Sequence, residues 1–596
     1  MTFAALTTLL ALGGITTVHA GWPSASQAAL KPTCGYPGGG PTATIDAGVV
    51  IGTTTSLPAA TATVNKFLGV PFAKSPPTRF APPQSPRTLK SPIKATAWSP
   101  ACIQQFVYPL ASQQFTEAVF NNPAPKESED CLYLNVYAPS SPAPADGRAV
   151  MFWIYGGALE FGNAGQPAYD GTWFASYEDV IVVTANYRTN VFGFPSSPEL
   201  ATTGHNLGFL DQRFALDWVQ HNIAAFGGSP NKVTIFGESA GAFSIDALLT
   251  SFPKGSVPPF RGAILESGQY SYRSAPFTSS VPAWDALSAA LGCPGKYNSN
   301  LTCVKAASAT DIQTIIDTQS LLFPPTPDNV TLVADPAKQR LSGNIARIPV
   351  MGGTNTQEGR YDEPLDARPR STVLTSRRAF TVGQTNTTAF LQTLFGPNQA
   401  LISAVEAIYP IGSAGISSVY DQTSAIFTDY IFQCPQAKWA NDTAALGIST
   451  WRYLFNASFA NTQAYPGLGV YHSSEIPIVF STYNAANTTT QEYVLSNAMR
   501  GAWARFAKNP AGGPGWNAVG TGAAGQVLTG ASGAVAGGVL VGADGKTLNG
   551  TFDLGLWGNR GDALGAGVTV IDQKEADYRC KVFEAVLDAI AGTTGQ

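Results

Sequence analysis

Residues Lys232 to Ser244 read KVTIFGESAGAFS, and this stretch constrains the fold more than any other. Five strand-like residues pass straight into Gly237-Glu238-Ser239-Ala240-Gly241, and AGAFSIDALLTSF continues with helical character. A handover that short demands a sharp turn with strained backbone angles at its apex, Ser239. Glycine at 237 and 241 removes side chains that would collide with a neighbouring strand and with the helix. The Ser239 hydroxyl is then lifted clear of the sheet, at a helix N-terminus that favours a developing anion. A bare G-x-S-x-G means little in a chain with 60 glycines. The strand before it and the helix after it give the pattern its weight.

The rest of the chain supplies a sheet for that turn. AVMFWIYGG (149–157), VIVVTANYR (180–188), RGAILESG (261–268) and IPVMGGTN (348–355) are apolar on both faces. Such runs fit a parallel sheet covered by helices on each side. Between them lie helical periodicities such as LDQRFALDWVQHNIAAF (210–226). The alternation predicts an α/β, doubly wound architecture with a large, mostly parallel central sheet flanked by helices. The chain has 596 residues, 44% of them apolar, enough for a large core. The glycine-rich stretch 511–545 reads as a surface excursion, so residues 21–596 are expected to form a single domain. Only 12% of residues are charged, the net charge is −4 and no basic cluster occurs. Nucleic acid is therefore not an expected partner.

A serine hydroxyl needs a base within hydrogen-bond reach, and the base needs an orienting acid. There are four histidines. His19 belongs to the leader, and His221 reads as a helix-surface residue. His472, in the loop GLGVYHSSEIPIVF, is the candidate base, with His205 in the turn TTGHNLGF as the alternative. The acid should fall between serine and histidine in chain order. Glu358 lies just past the strand-like run around Met351, where catalytic groups gather; Asp362 and Glu363 are its neighbouring competitors. Donors for an oxyanion are expected from the backbone N–H groups of Gly156, Gly157 and Ala158, together with Ala240.

MTFAALTTLLALGGITTVHA has the length and apolarity of a signal peptide, with small residues at 18 and 20 suiting cleavage after Ala20. A secreted, extracellular protein is expected. Sequons at Asn300, Asn329, Asn386, Asn441, Asn456, Asn487 and Asn549 fit that route as candidate glycosylation sites. The seven cysteines leave at least one unpaired within the chain. No C-x-x-C or H-E-x-x-H spacing occurs, so a metal site is not expected, and acyl transfer through a serine requires no cofactor.

Together these motifs resemble the type-B carboxylesterase/lipase family, which includes cholinesterases and secreted fungal lipases. FLGVPFAKSPPTRFAPP, SEDCLYLNVYAP, IYGGALEFG, NYRTNVFGF, NLGFLDQRFALDWVQHNIAAFGGSP, VTIFGESAGA, TQEG and GVYHSSEI follow in family order, over roughly residues 40–590. The resemblance implies an α/β-hydrolase fold, a Ser239–Glu358–His472 triad and hydrolysis of carboxylic esters through an acyl-enzyme. It also implies disulfides Cys102–Cys131, Cys293–Cys303 and Cys434–Cys580, with Cys34 left over. The family usually carries a third glycine and then an aromatic residue, where this chain has Ala158 and Leu159. The alanine still supplies an N–H, but the acyl pocket there is expected to differ. The loop between Cys102 and Cys131 contains no tryptophan, which argues against choline esters. Its run QQFVYPLASQQFTEAVF suits either a mobile lid that opens at a transient lipid interface or the fixed rim of an esterase gorge. Substrates are accordingly small-molecule esters or, in the alternative, long-chain acylglycerols. A non-catalytic adhesion relative is the reading from another class; such members typically lose the serine or the histidine, and both are present here.

Overall fold

The computed structural model describes residues 39–593 apart from 59, 61, 107–109, 273–278, 294, 296–299, 361–385, 522–551 and 559–566. The leader, Cys34, Asp362, Glu363 and Asn549 lie outside the described residues, as does most of the glycine-rich stretch. The β-branched, apolar runs of the sequence assemble into one sheet of eleven strands. In chain order these are β1 (Thr53–Thr55), β2 (Val64–Pro71), β3 (Tyr133–Pro139), β4 (Arg148–Ile154), β5 (Ile181–Ala185), β6 (Gly228–Glu238), β7 (Gly262–Glu266), β8 (Val350–Asn355), β9 (Thr450–Phe455), β10 (Phe552–Trp557) and β11 (Val568–Asp572). Across the sheet the order is β11-β10-β9-β8-β7-β6-β4-β5-β3-β2-β1. Pairing is parallel from β5 through β10. It is antiparallel at both margins. Every residue of β4, β5 and β7 is buried. This is the signature of a sheet covered on both faces, and it explains why those runs show no polar alternation.

Helices that cover the sheet or flank the site include α1 (Leu110–Phe120), α2 (Leu207–Asn222), α3 (Ala240–Ser251), α4 (Cys434–Ala445) and α5 (Thr490–Lys508). α3 packs on β6 and β7, α4 on β8 and β9, and α5 on β4 and β6. Among the described residues, no helix is long and apolar enough to cross a membrane.

Contact between α3 and the sheet is as close as backbone allows. A Cβ on Gly241 would stand 1.9 Å from the Ile154 carbonyl oxygen, and one on Gly237 2.4 Å from the same atom. Neither position can carry a side chain unless the end of β4 moves, which is the collision the sequence predicts glycine to avoid.

Candidate active site

Ser239 sits between β6 and α3 with φ 54° and ψ −117°, a strained, left-handed backbone for a residue with a Cβ. Two hydrogen bonds hold it there. Its N–H donates to the Glu266 carbonyl at 2.8 Å, and its carbonyl accepts from Phe243 N–H at 2.9 Å. Gly268 lies so near that a Cβ there would meet the Ser239 carbonyl oxygen at 2.3 Å. The strain is thus imposed by the ends of two strands and the first turn of a helix.

Glu358 and His472 are 114 residues apart in sequence and meet in the fold. His472 Nδ1 donates to Glu358 Oε2 at 2.7 Å, while Glu358 Oε1 accepts from the Asn355 N–H at 2.7 Å. The carboxylate is fully buried and the imidazole nearly so. The next residue, Gly359, donates its N–H to Thr428 Oγ1 at 3.0 Å. Thr428 opens a single π turn, Thr428–Gln433, and Phe432 on that turn lays its ring 4.8 Å from the imidazole. One wide turn therefore braces both members of the pair, a use typical of π turns near functional sites.

The other imidazole nitrogen reaches the strand end that carries the serine. His472 Nε2 lies 3.2 Å from Glu238 Oε1, and Glu238 directly precedes Ser239. The same carboxylate oxygen accepts from Ser473 Oγ at 2.6 Å. His472 is thus gripped at both nitrogens by carboxylates. Burial by itself would lower its pKa, but Glu238 and Glu358 outweigh burial and hold it up at about 8. Burial pushes Glu238 up to about 7, against the pull of His472 and Ser473.

Of the expected oxyanion donors, Gly156 comes close to the strand end that carries the serine. A Cβ on Gly156 would be 3.0 Å from the Ser239 Cβ and 2.6 Å from Glu238 Oε2. Gly157, Ala158 and Leu159 follow with φ of 105°, 57° and 64°. Ala158 and Leu159, where the family usually places glycine and then an aromatic residue, both hold left-handed backbone. That conformation costs of order 1 kcal/mol or more each in a residue with a side chain. Ala240 begins α3 directly after the serine.

His205 is placed elsewhere. Its Nε2 donates to the Ser197 carbonyl, eight residues upstream, at 3.0 Å. His221 lies on α2 with Nδ1 2.7 Å from the Asp217 carbonyl. All three implied disulfides form: Cys102–Cys131, Cys293–Cys303 and Cys434–Cys580. The loop closed by the first contains α1. Phe115, Val119 and Phe120 of that helix form a small apolar cluster with Tyr465, Leu468 and Tyr471, just before His472. Of the sequons, Asn329, Asn386, Asn441 and Asn487 are exposed, while Asn300 and Asn456 are half-buried.

Reasoning from the sequence missed Glu238, Glu266, Glu475 and Phe432. The signal for Glu238 was in plain view, because an acidic side chain at the middle position of G-x-S lies next to the nucleophile's own turn. Phe432 carried no such signal, because its place depends on a π turn.

Comparison with known proteins bears on the family and the fold. The model of the carboxylesterase family matches residues 40–535. The chain is 34% identical over 460 residues to the para-nitrobenzyl esterase of Bacillus subtilis, covering 75% of this chain and 86% of that one. It is 33% identical over 478 residues to the acetylcholinesterase of Bungarus fasciatus, 76% of each. It is 32% identical over 480 residues to the human cocaine esterase, covering 79% and 83%. Among solved structures, a PNB esterase superposes with a TM-score of 0.65 at 27% identity, covering 91% of this chain and 99% of its own. The large sheet flanked by helices is the α/β-hydrolase fold of these relatives.

Proposed function

Since this chain belongs to the carboxylesterase family and is a carboxylic ester hydrolase acting on small-molecule esters, we propose that its triad is Ser239, His472 and Glu358 and that it works through an acyl-enzyme outside the cell. One observation carries this reading. His472 is held by Glu358 at one nitrogen and turned, at the other, toward the strand end from which Ser239 projects.

The Ser239 hydroxyl passes its proton to neutral His472, and the oxygen attacks the ester carbonyl carbon. The carbonyl π electrons move onto the oxygen, where N–H groups of Gly156, Gly157, Ala158 and Ala240 stabilise the charge. Collapse expels the alcohol, which takes the proton back from imidazolium His472, and leaves the acyl group on Ser239. Water then repeats the sequence with the same base and frees the acid. Glu358 stays ionised and fixes the imidazole tautomer. No cofactor enters these steps. Ser239→Ala is expected to lower kcat by several orders of magnitude and to abolish labelling by a fluorophosphonate. Near-full ester turnover by that variant would reject the triad, and failure of the wild-type enzyme to label would favour a binding role.

A second reading, a lipase for long-chain acylglycerols, is favoured by the apolar seam between α1 and the segment leading to His472. An amphipathic helix seated there would uncover apolar surface on opening at a lipid interface. A chain-length series of p-nitrophenyl esters, with and without an interface, separates the two: a jump in rate on long chains only when the interface is present supports the lipase. Secretion is supported by the leader, by three disulfides and by sequons at exposed positions. The segment from residue 21 onward is read as one catalytic domain bearing glycans at some or all of its sequons.

A further inference from the structure

A second carboxylate stands beside Glu238 and has no part in the acyl-transfer steps. In the parallel pairing of β6 with β7, Glu238 is the direct partner of Glu266. Glu266 in turn stands opposite Gly353 on β8, and Gly353 opposite Tyr453 on β9. In-register partners on parallel strands point to the same face, about 4.8 Å apart. The row Glu238, Glu266, Gly353, Tyr453 therefore runs across one face of the sheet. Gly353 leaves a gap that the tyrosine ring fills, since a Cβ there would lie 2.3 Å from Tyr453 Cδ1. Trp503 of α5 caps the row, packing 5.0 Å from the Tyr453 ring and donating its Nε1–H to Glu266 Oε1 at 2.9 Å.

The two carboxyl groups are unequally supplied with partners. Glu238 has the His472 imidazole and the Ser473 hydroxyl. Glu266, fully buried, has the Trp503 N–H on one oxygen and no hydrogen-bond partner on Oε2 among the described residues. Among the described residues, Glu475, after His472, and Tyr453 also lie within electrostatic reach of Glu266, and neither brings a positive charge. Two adjacent buried carboxyl groups do not both ionise at neutral pH, and the one with the cation keeps the charge.

We propose that Glu266 is a neutral acid that shares its proton with Glu238 and so keeps Glu238 anionic against His472. Glu266 is thus a positioning residue that acts on the base through its neighbour. Burial pushes its pKa to about 8, with the Trp503 hydrogen bond pulling the other way, which agrees with a proton held at pH 7.

The effect on turnover rests on the proposed triad; the protonation state does not, and the two are tested separately. Infrared spectra of the full-length enzyme at neutral pH, in water and deuterated water, are expected to show a protonated-carboxyl C=O stretch that disappears in Glu266→Gln. If that substitution removes no such band, the proposal fails, whatever the activity. Without a donor beside it, Glu238 takes up the proton itself and no longer supports the imidazolium. Glu266→Leu should therefore lower kcat/KM about tenfold and move the acid limb of its pH profile down by about one unit. Glu266→Gln, which still offers an N–H, should restore both. An unmoved limb in Glu266→Leu, or the same displacement in Gln as in Leu, overturns the link to Glu238. Fluorophosphonate labelling of Ser239 in the wild-type enzyme reports independently on the triad.

Discussion

Glu238 changes what a histidine base can do at neutral pH. General-base action needs the neutral imidazole, so kcat/KM should rise with pH through the His472 value of about 8, above the ordinary 6.5. Glu238→Gln removes one of the two charges that hold that value up. The rise is then expected to begin about one pH unit lower, with kcat reduced, because the imidazolium formed during attack has lost a counter-charge. A pH profile of p-nitrophenyl acetate hydrolysis for both enzymes checks this, and superimposable profiles would refute it. The same groups make folding depend on pH. Glu238 and Glu266 have folded values raised from 4.5 to about 7 and about 8, so the folded state binds more protons than the unfolded chain. Stability from these groups is present at low pH and is lost as pH climbs from about 4.5 through about 8. His472, raised from 6.5 to about 8, changes in the same direction. Thermal melts between pH 6 and 9 should therefore show Tm falling with pH, and falling less steeply in Glu266→Gln.

Among elements, the handover from β6 to α3 was legible in the sequence, and the reason is local. Glycine spacing, strand propensity before the turn and helix propensity after it all lie within thirteen residues. Its energetic consequence can be measured. At Gly241 a Cβ would press on the Ile154 carbonyl, an atom of the sheet backbone that cannot swing aside. Gly241→Ala should cost about 3 kcal/mol or more and lower the yield of folded enzyme. Gly204→Ala, whose Cβ would find nothing nearer than Leu200 Cβ at 3.9 Å, should melt like the parent. Equal melting of the two variants would show that α3 can move off β4. The triad candidates were legible for a related reason, since few histidines exist and only one falls in a loop after the right strand. The carboxylate row was not legible. Glu238, Glu266 and Tyr453 come into one row only through the successive pairing of β6 with β7, β7 with β8 and β8 with β9. Register between distant strands is a property of the assembled sheet, and no local pattern records it. Phe432 was hidden likewise, because its aim depends on one extra residue in a helical turn.

At the scale of the whole molecule, the disulfides differ in what they constrain. Cys434–Cys580 closes 146 residues of sequence separation, and Cys293–Cys303 only 10. If a cross-link acts by limiting the unfolded chain, the first contributes about 5 kcal/mol and the second about 3. The long closure also joins the start of α4, directly after the π turn that braces His472, to the segment following β11. Other ties span that junction. Arg452 of β9 holds Asp577 at 2.6 Å, Gln433 Nε2 donates to Asp577 at 2.8 Å, and Arg579 approaches Asp429 at 3.7 Å. These contacts are native-state interactions that do not pass through the cross-link, so the geometry around His472 should persist at room temperature without it. Replacing Cys434 and Cys580 with serine is therefore expected to leave kcat/KM within about threefold at 25 °C while lowering Tm more than the paired replacement at 293 and 303. Thermal scans and p-nitrophenyl ester kinetics on the two double variants measure both quantities. A large loss of activity at 25 °C, with Tm little changed, would mean that the cross-link positions the π turn directly, and the ion pairs around Asp577 would then be too weak to hold the base in place.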